Sequence, residues 1–276
     1  MPWYATSAIT IYNKKLFQQA NLPVPQTYEQ IAKSAFQIKS ETGAFIFLPT
    51  ICENNTMIKI LNKYGVNSYD KINSEKSVEI FNLFKNLYEN NYIPKESITL
   101  TQREAMEKYM SENTALFQAG ANFLNMIKEN ALATYQNTDV APQIKGKLGQ
   151  NDFSLMNFVI PLKAKHKKEA LKFALFLTND TNQLELAKLT NIIAVNKKTL
   201  QDKFYTQYEE DDLLAKARVI SAKQLNKITP VLKSEYNQKE INNIINSAVQ
   251  KILLNKDDIR TILDETAKSW ENLSKY

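Results

Sequence analysis

Apolar residues fall along the chain in short runs with two rhythms, one of strands and one of helices. Thr10-Ile11-Tyr12 and the residues before it read as a strand. Asn13 to Ala20 reads as a short helix, which Pro23 and Pro25 keep from continuing. Thr27 with Gln30 has the form of a capping box, and Ile31, Ala35 and Ile38 recur at helical spacing, so a helix should run from there to Gly43. Phe45 to Leu48 is short, continuously apolar and bounded by Gly43 and Pro49, the pattern of a buried strand. Helices are expected over 56–64 and 74–90, the second with Val78, Phe81, Phe84 and Tyr88 on one side. Thr101 and Glu104 form a second capping box that opens a helix through Met106 and Met110. Thr114 to Gln118 then reads as a strand, Gly120 as a turn and Phe123 to Ile127 as a helical start.

The second half follows the same logic. Strands are expected over 139–144 and 155–160, separated by a polar break from Gly146 to Asp152. The next helix, 167–177, should bury Ala170, Phe173, Ala174 and Leu177, and another spans 183–189. Helices over 213–226, 238–254 and 257–273 complete the chain. Asp257 caps the last, with Ile259, Ile262, Leu263, Thr266 and Trp270 facing inward. Strands alternating with helices predict an α/β fold with a mostly parallel sheet and a helical C-terminal tail.

Composition narrows the chemistry. The 276 residues suffice for one large domain or two modest ones. With 43% hydrophobic and 23% charged residues, disordered, collagen-like and coiled-coil chains are excluded. Thirty-five basic against 29 acidic residues give a net charge of +6, but only Arg103, Arg218 and Arg260 carry guanidinium groups, which argues against a nucleic-acid reader. Cys52 is the only cysteine, so no internal disulfide and no metal knuckle built on several cysteines can form. His166 is the only histidine, and the five glycines make no phosphate-cradling pattern. No apolar run approaches the ~20 residues of a membrane span. Met1 is followed by Pro-Trp-Tyr where a secretion signal would have a basic and then an apolar segment. Lys163 to Lys168, including His166, reads as a solvated helix start. Glu209 to Asp212 lacks calcium-loop spacing and reads as surface acid.

The order of particular segments carries more. Pro2-Trp3-Tyr4, Ile11-Tyr12-Asn13-Lys14-Lys15-Leu16-Phe17, Leu22-Pro23 and Gln26-Thr27-Tyr28-Glu29-Gln30-Ile31 come in sequence. Ala115 to Gly120, Asn157 to Pro161 with Lys165 to Phe173, and Asn182 to Thr190 with Ala194-Val195-Asn196 come later. This series resembles the extracellular solute-binding proteins of ABC importers, in the carbohydrate-binding branch that includes maltodextrin-binding protein. The resemblance implies a periplasmic-binding-protein-like two-lobe (type II) α/β fold, N-terminally truncated, because family members begin with a secretion signal and the first βα units of lobe 1. It divides the chain into a hinge crossing (1–9), a first part of lobe 2 (10–148), the remaining part of lobe 1 (149–212), and a return hinge with C-terminal helices of lobe 2 (213–276). Near Ala194 the family usually has Gly and Pro that this chain lacks.

The resemblance also implies a non-enzymatic component that binds a sugar or related small solute and delivers it to membrane permease subunits. No cofactor, metal or nucleic acid is expected, and the full-length form should be periplasmic or anchored outside the membrane. A sugar site needs an aromatic platform plus planar polar groups at the rim of the ring. The candidates are Trp3 and Tyr4 at the crossing, Glu53 and Asn54 after an apolar strand, Asn122 and Phe123 after Gly120, and Tyr236 after Pro230. All but Asn122 have a plainer alternative: hinge packing for Trp3 and Tyr4, a solvated loop or helix cap for Glu53 and Asn54, and core packing for Phe123 and Tyr236. A fragment that binds nothing is the second reading. A carbohydrate-active enzyme is the third, because its carboxylate pair would be spatial and 29 acids offer many choices. With a sheet mostly absent beneath it, the helix around Phe173 and Phe176 should leave an apolar patch uncovered.

Overall fold

The computed structural model describes residues 1–53, 55–225, 238–255 and 257–273. The chain opens with β1 (Pro2–Thr6) and β2 (Ala8–Asn13), then α1 (Lys14–Gln19), α2 (Tyr28–Thr42), β3 (Phe45–Leu48), α3 (Thr56–Asn62) and α4 (Glu75–Glu89). There follow α5 (Gln102–Met110), β4 (Thr114–Gly120), α6 (Phe123–Asn130), α7 (Leu132–Asn137), β5 (Thr138–Pro142) and β6 (Ser154–Asn157). The remainder comprises α8 (Lys167–Leu177), α9 (Asp180–Thr190), β7 (Ile193–Ala194), α10 (Lys203–Thr206), α11 (Leu213–Gln224), α12 (Gln238–Leu254) and α13 (Ile259–Leu273).

Local chemistry sets most boundaries. Thr27 Oγ1 accepts from the Gln30 amide at 3.2 Å, while the Gln30 side chain reaches back to the Gln26 amide, so the cap of α2 spans one residue more than a strict box. Gly43 closes α2 in the left-handed region at φ 72°, which a Cβ would strain. At α5 the reciprocal Thr101–Glu104 box forms fully. Asp258, not Asp257, caps α13 by accepting from the Thr261 amide. The predicted inward face of that helix is buried at all five positions.

The strands form two sheets. The larger has the order β3-β4-β2-β5 and the smaller β6-β1-β7. Only β3 and β4 run parallel; β2 lies antiparallel to both β4 and β5, and β1 antiparallel to β6 and β7. The expectation of a mostly parallel sheet is therefore corrected. β2 enters the larger sheet directly from β1 without a helical crossover, and a continuously apolar strand reads the same whichever way its neighbour runs. Helices cover both faces of the larger sheet. Leu16, Ile46 and Leu116 join the core under α2, α4, α12 and α13, while Ile9, Ile11, Phe117 and Val140 join the one under α5, α6 and α11. A small third core around Ala5, Ile193 and Tyr205 serves the smaller sheet.

On α8 only Ala174 is buried; Phe173 is 62% and Phe176 58% exposed. The expected burial of Phe173 is corrected, and the expected uncovered apolar face is present. Val159 and Leu162, just before α8, are also exposed.

Candidate functional site

Because β3 and β4 are parallel neighbours, with Leu48 opposite Phe117, their C-terminal ends emerge on the same edge of the larger sheet. β2 starts at that edge, with Ala8 opposite Gly120. Loops at the C-terminal ends of parallel strands are where ligands gather in open α/β sheets. Here they meet the start of β6, and a cavity of about 550 Å³ lies between, a volume within the range of small-molecule sites. Tyr28, Thr50, Thr56, Lys59, Gln102 and Gln118 contribute from the larger-sheet side, and Thr6, Ser7, Asp152, Phe153, Ser154 and Met156 from the hinge and the smaller sheet.

Behind the cavity, and touching its lining through Ser7, Ala8 and Asp152, a polar knot ties the chain's crossings together. Gln224 Nε2 donates to Ser7 Oγ at 2.9 Å and to the Ala8 carbonyl at 2.8 Å, and its Oε1 accepts from the Gln143 amide at 2.7 Å. Gln143 Nε2 donates to the Asp152 carbonyl and to Ser7 Oγ, and its Oε1 accepts from the Asp152 amide. Asn151 Nδ2 donates to the Gln224 carbonyl. Into this knot reaches Lys63 of the α3 end, fully buried, with its ammonium 2.8 Å from Gln143 Oε1, 2.8 Å from the Ile144 carbonyl and 3.0 Å from Asp152 Oδ2. Three acceptors match the three protons of an ammonium group. Burial pulls the Lys63 pKa below the ordinary lysine value, and Asp152 opposes that pull.

One turn earlier, Lys59 lines the cavity; burial lowers its pKa as well, against the attraction of Asp152. Tyr28, packed among Phe47, Tyr64 and Phe84, keeps its phenol protonated well above its usual range through burial and the nearby Asp152 charge. Gln102 Nε2 donates to the Gln118 carbonyl at 3.1 Å. Gln118 Nε2 is buried without a partner among the described residues. Gly120 ends β4 here, and a Cβ on it would stand 2.5 Å from Asn122 Oδ1, so a larger residue would have to turn that side chain aside.

The candidates from sequence are not brought into one site. Glu53 stands beside the 550 Å³ cavity without lining it. Burial raises its carboxyl pKa, the Gln102 backbone holds it back, and its Oε2 has no partner among the described residues. Its loop is pinned from behind by α12, where Asn246 donates to the Cys52 carbonyl at 2.9 Å and Asn242 to Asn55. Burial lifts the Cys52 thiol to about 11, which leaves it unreactive. Tyr4 and Asn122 line a second, smaller cavity of about 260 Å³ with Gly120, Asn191 and Ser221. Trp3 packs on Tyr4 and Phe158, both ring centroids at 4.8 Å, and its carbonyl accepts from Gln183. Phe123 packs against the core beneath α5 and α6. Asn54 and Tyr236 lie outside the described residues. Sequence reading missed Lys59, Gln102, Gln118 and Asp152. Gln118 carried a signal, as the polar residue near the end of a strand expected to lead into the cleft, whereas Lys59 looks like any lysine on a helix.

Residues 1–212 match the family model described as bacterial extracellular solute-binding protein. No curated protein matches. Among solved structures, a protein of Synechococcus sp. MITs9220 assigned as an oligosaccharide periplasmic-binding protein superposes with a TM-score of 0.88 at 25% identity, over 100% of this chain and 72% of that one. The GacH receptor of Streptomyces glaucescens, also solved with acarbose, superposes with a TM-score of 0.79 at 14% identity, over 100% of this chain and 71% of that one. The sugar-binding protein MalE of Xanthomonas citri gives a TM-score of 0.79 at 17% identity, over 100% of this chain and 70% of that one.

Proposed function

The chain belongs to the bacterial extracellular solute-binding proteins, and from that premise we propose that it is the substrate-binding component of an ABC importer. It holds a sugar or a related small solute in the 550 Å³ cavity and presents it to permease subunits outside the cytoplasmic membrane. The observation that carries this reading is the position of the cavity. It opens where β1 passes into β2 and where the chain returns through Asp152, so a rotation about the Ser7–Gln143–Gln224 knot would change its width. On this reading residues 10–148 and 213–276 move as one lobe and 149–212 belong to the other, with 1–9 as the crossing.

The lining suits a carbohydrate. Phe153, Met156 and the edge of Tyr28 offer apolar surface, while Thr50, Gln102, Gln118 and Ser154 offer groups of the kind that bind hydroxyls. Tyr4, Asn122 and Glu53 are the sequence-derived candidates nearest to this region, and a solute spanning both cavities would reach Tyr4 and Asn122. Binding without turnover is favoured because Asp152, the only carboxylate among the described lining residues, is held by Lys63, whereas glycoside hydrolysis needs two carboxyl groups across the bond. Thermal-shift screening of the chain against mono- and oligosaccharides tests the reading. A bound saccharide at one hundred times its Kd should add about 2.7 kcal/mol and raise the melting midpoint by several degrees. A panel in which no saccharide moves the midpoint would refute it.

A further inference from the structure

Charge at the 550 Å³ cavity does not balance once the buried cation behind its wall is counted. Lys59 lines the cavity and Asp152 is the only acid that lines it among the described residues, while Lys63, one helical turn on from Lys59, lies buried behind the wall. Lys63 engages that carboxylate at 3.0 Å and spends its other protons on Gln143 and Ile144. Lys59 Nζ has no hydrogen-bond or ion-pair partner among the described residues, so one positive charge faces the cavity unpaired. Glu53 does not cancel it: that carboxyl lies outside the lining, and its pKa shift owes to burial, Gln102 and Glu104 and not to Lys59. Gln118, which lines the same cavity, presents a buried amide N–H group that also lacks a partner among the described residues. The unspent groups are thus donors, and one is charged. A cavity in that state is completed by a ligand that brings acceptors and a negative charge.

We propose that the solute held here is anionic, a saccharide bearing a carboxylate or a phosphate, with Lys59 pairing its charge and Gln118 donating to the same end of the molecule. The proposal rests on reading this cavity as the solute site, and it goes further by choosing a class of solute. A neutral sugar would leave Lys59 desolvated and unpaired on closure, which is the arrangement that favours rejection of uncharged analogues.

Isothermal titration calorimetry with trigalacturonate, glucose 6-phosphate and maltotriose, at fixed ionic strength, tests this on the wild-type chain, Lys59→Gln and Lys59→Arg, each first checked for an intact melting transition. Binding of trigalacturonate or of glucose 6-phosphate supports the proposal and identifies the anionic group. Lys59→Gln should then weaken that binding roughly ten- to hundred-fold, the worth of one charge-assisted hydrogen bond, and Lys59→Arg should restore most of it. Binding of maltotriose alone would overturn the anionic class while leaving solute binding intact. An anionic ligand whose affinity is the same in Lys59→Gln would overturn the role of Lys59. Binding of none of the three would also overturn the proposal, and the broader saccharide screen then decides separately whether any sugar is bound.

Discussion

Replacing Lys63 by Met removes the cation from the hinge knot while keeping an unbranched stem of similar length in the same channel. Three contacts disappear, to Asp152 Oδ2, Gln143 Oε1 and the Ile144 carbonyl. Breaking a buried ion pair by deleting one partner costs about 3–5 kcal/mol. Two features of the site pull toward the lower end of that range. The Asp152 side chain is 22% exposed, so water recovers part of its lost partner, and Gln143 Oε1 keeps the Asp152 amide at 2.9 Å. The Ile144 carbonyl has no such compensation among the described residues. A loss of about 3 kcal/mol is expected, and at 2–4 °C per kcal/mol it lowers the midpoint by roughly 6–12 °C. Urea and thermal melts of Lys63→Met, Asp152→Asn and the double variant at pH 7 measure it. Asp152→Asn in the Lys63→Met background should recover part of the loss, because it neutralises the orphaned charge. A Lys63→Met penalty below about 1 kcal/mol, or an Asp152→Asn effect of the same size and sign in both backgrounds, would refute the argument that this pair organises the crossings.

Other predictions concern separate parts of the molecule. Gly146→Ala should cost about 1–3 kcal/mol, since its Cβ would stand 2.7 Å from the Lys63 carbonyl and 2.8 Å from Tyr64; a urea midpoint equal to wild type would contradict this. Burial raises the phenols of Tyr12, Tyr28, Tyr64 and Tyr109, and that of Tyr205 to about 12, so the folded chain holds protons that the unfolded chain releases near pH 10. Their contribution is complete below pH 10 and is lost as pH climbs toward the folded values. Lys59 and Lys63 act oppositely, but only between their lowered values and about 10.5. Urea midpoints should therefore fall steeply between pH 10 and 12, and a flat profile would count against tyrosine burial. Phe173→Ser with Phe176→Ser should reduce self-association in light scattering without lowering the melting midpoint, because both rings are mostly exposed; unchanged association would show that this face is not the adhesive one.

Most of the fold was legible because its signals are local. Thr27, Thr101 and Gly43 mark helix ends through their own side chains or backbone, and the α13 stripe follows from its 3.6-residue period. What was not legible depends on distant partners. β7 has two residues and exists only because Tyr4 and Ala5 pair with it, and α7 lacks a cap that would announce it. Strand direction in the larger sheet depends on how β2 arrives from β1. The exposure of Phe173 shows the limit of periodicity, which finds an apolar stripe without saying whether anything lies against it. The site was legible only as a neighbourhood. The ends of β3 and β4 were singled out, but Lys59, Gln102, Gln118 and Asp152 acquire meaning from a cavity that joins four stretches of chain.

The account stands on a solute bound at this cavity, and the most direct measurement is a crystal structure of the chain grown with the best ligand from the saccharide screen. It predicts one solute molecule between the C-terminal ends of β3 and β4 and the Asp152–Met156 segment, with Gln118 Nε2 within hydrogen-bond distance of it. A solute seated elsewhere, with this cavity filled only by water, would contradict it.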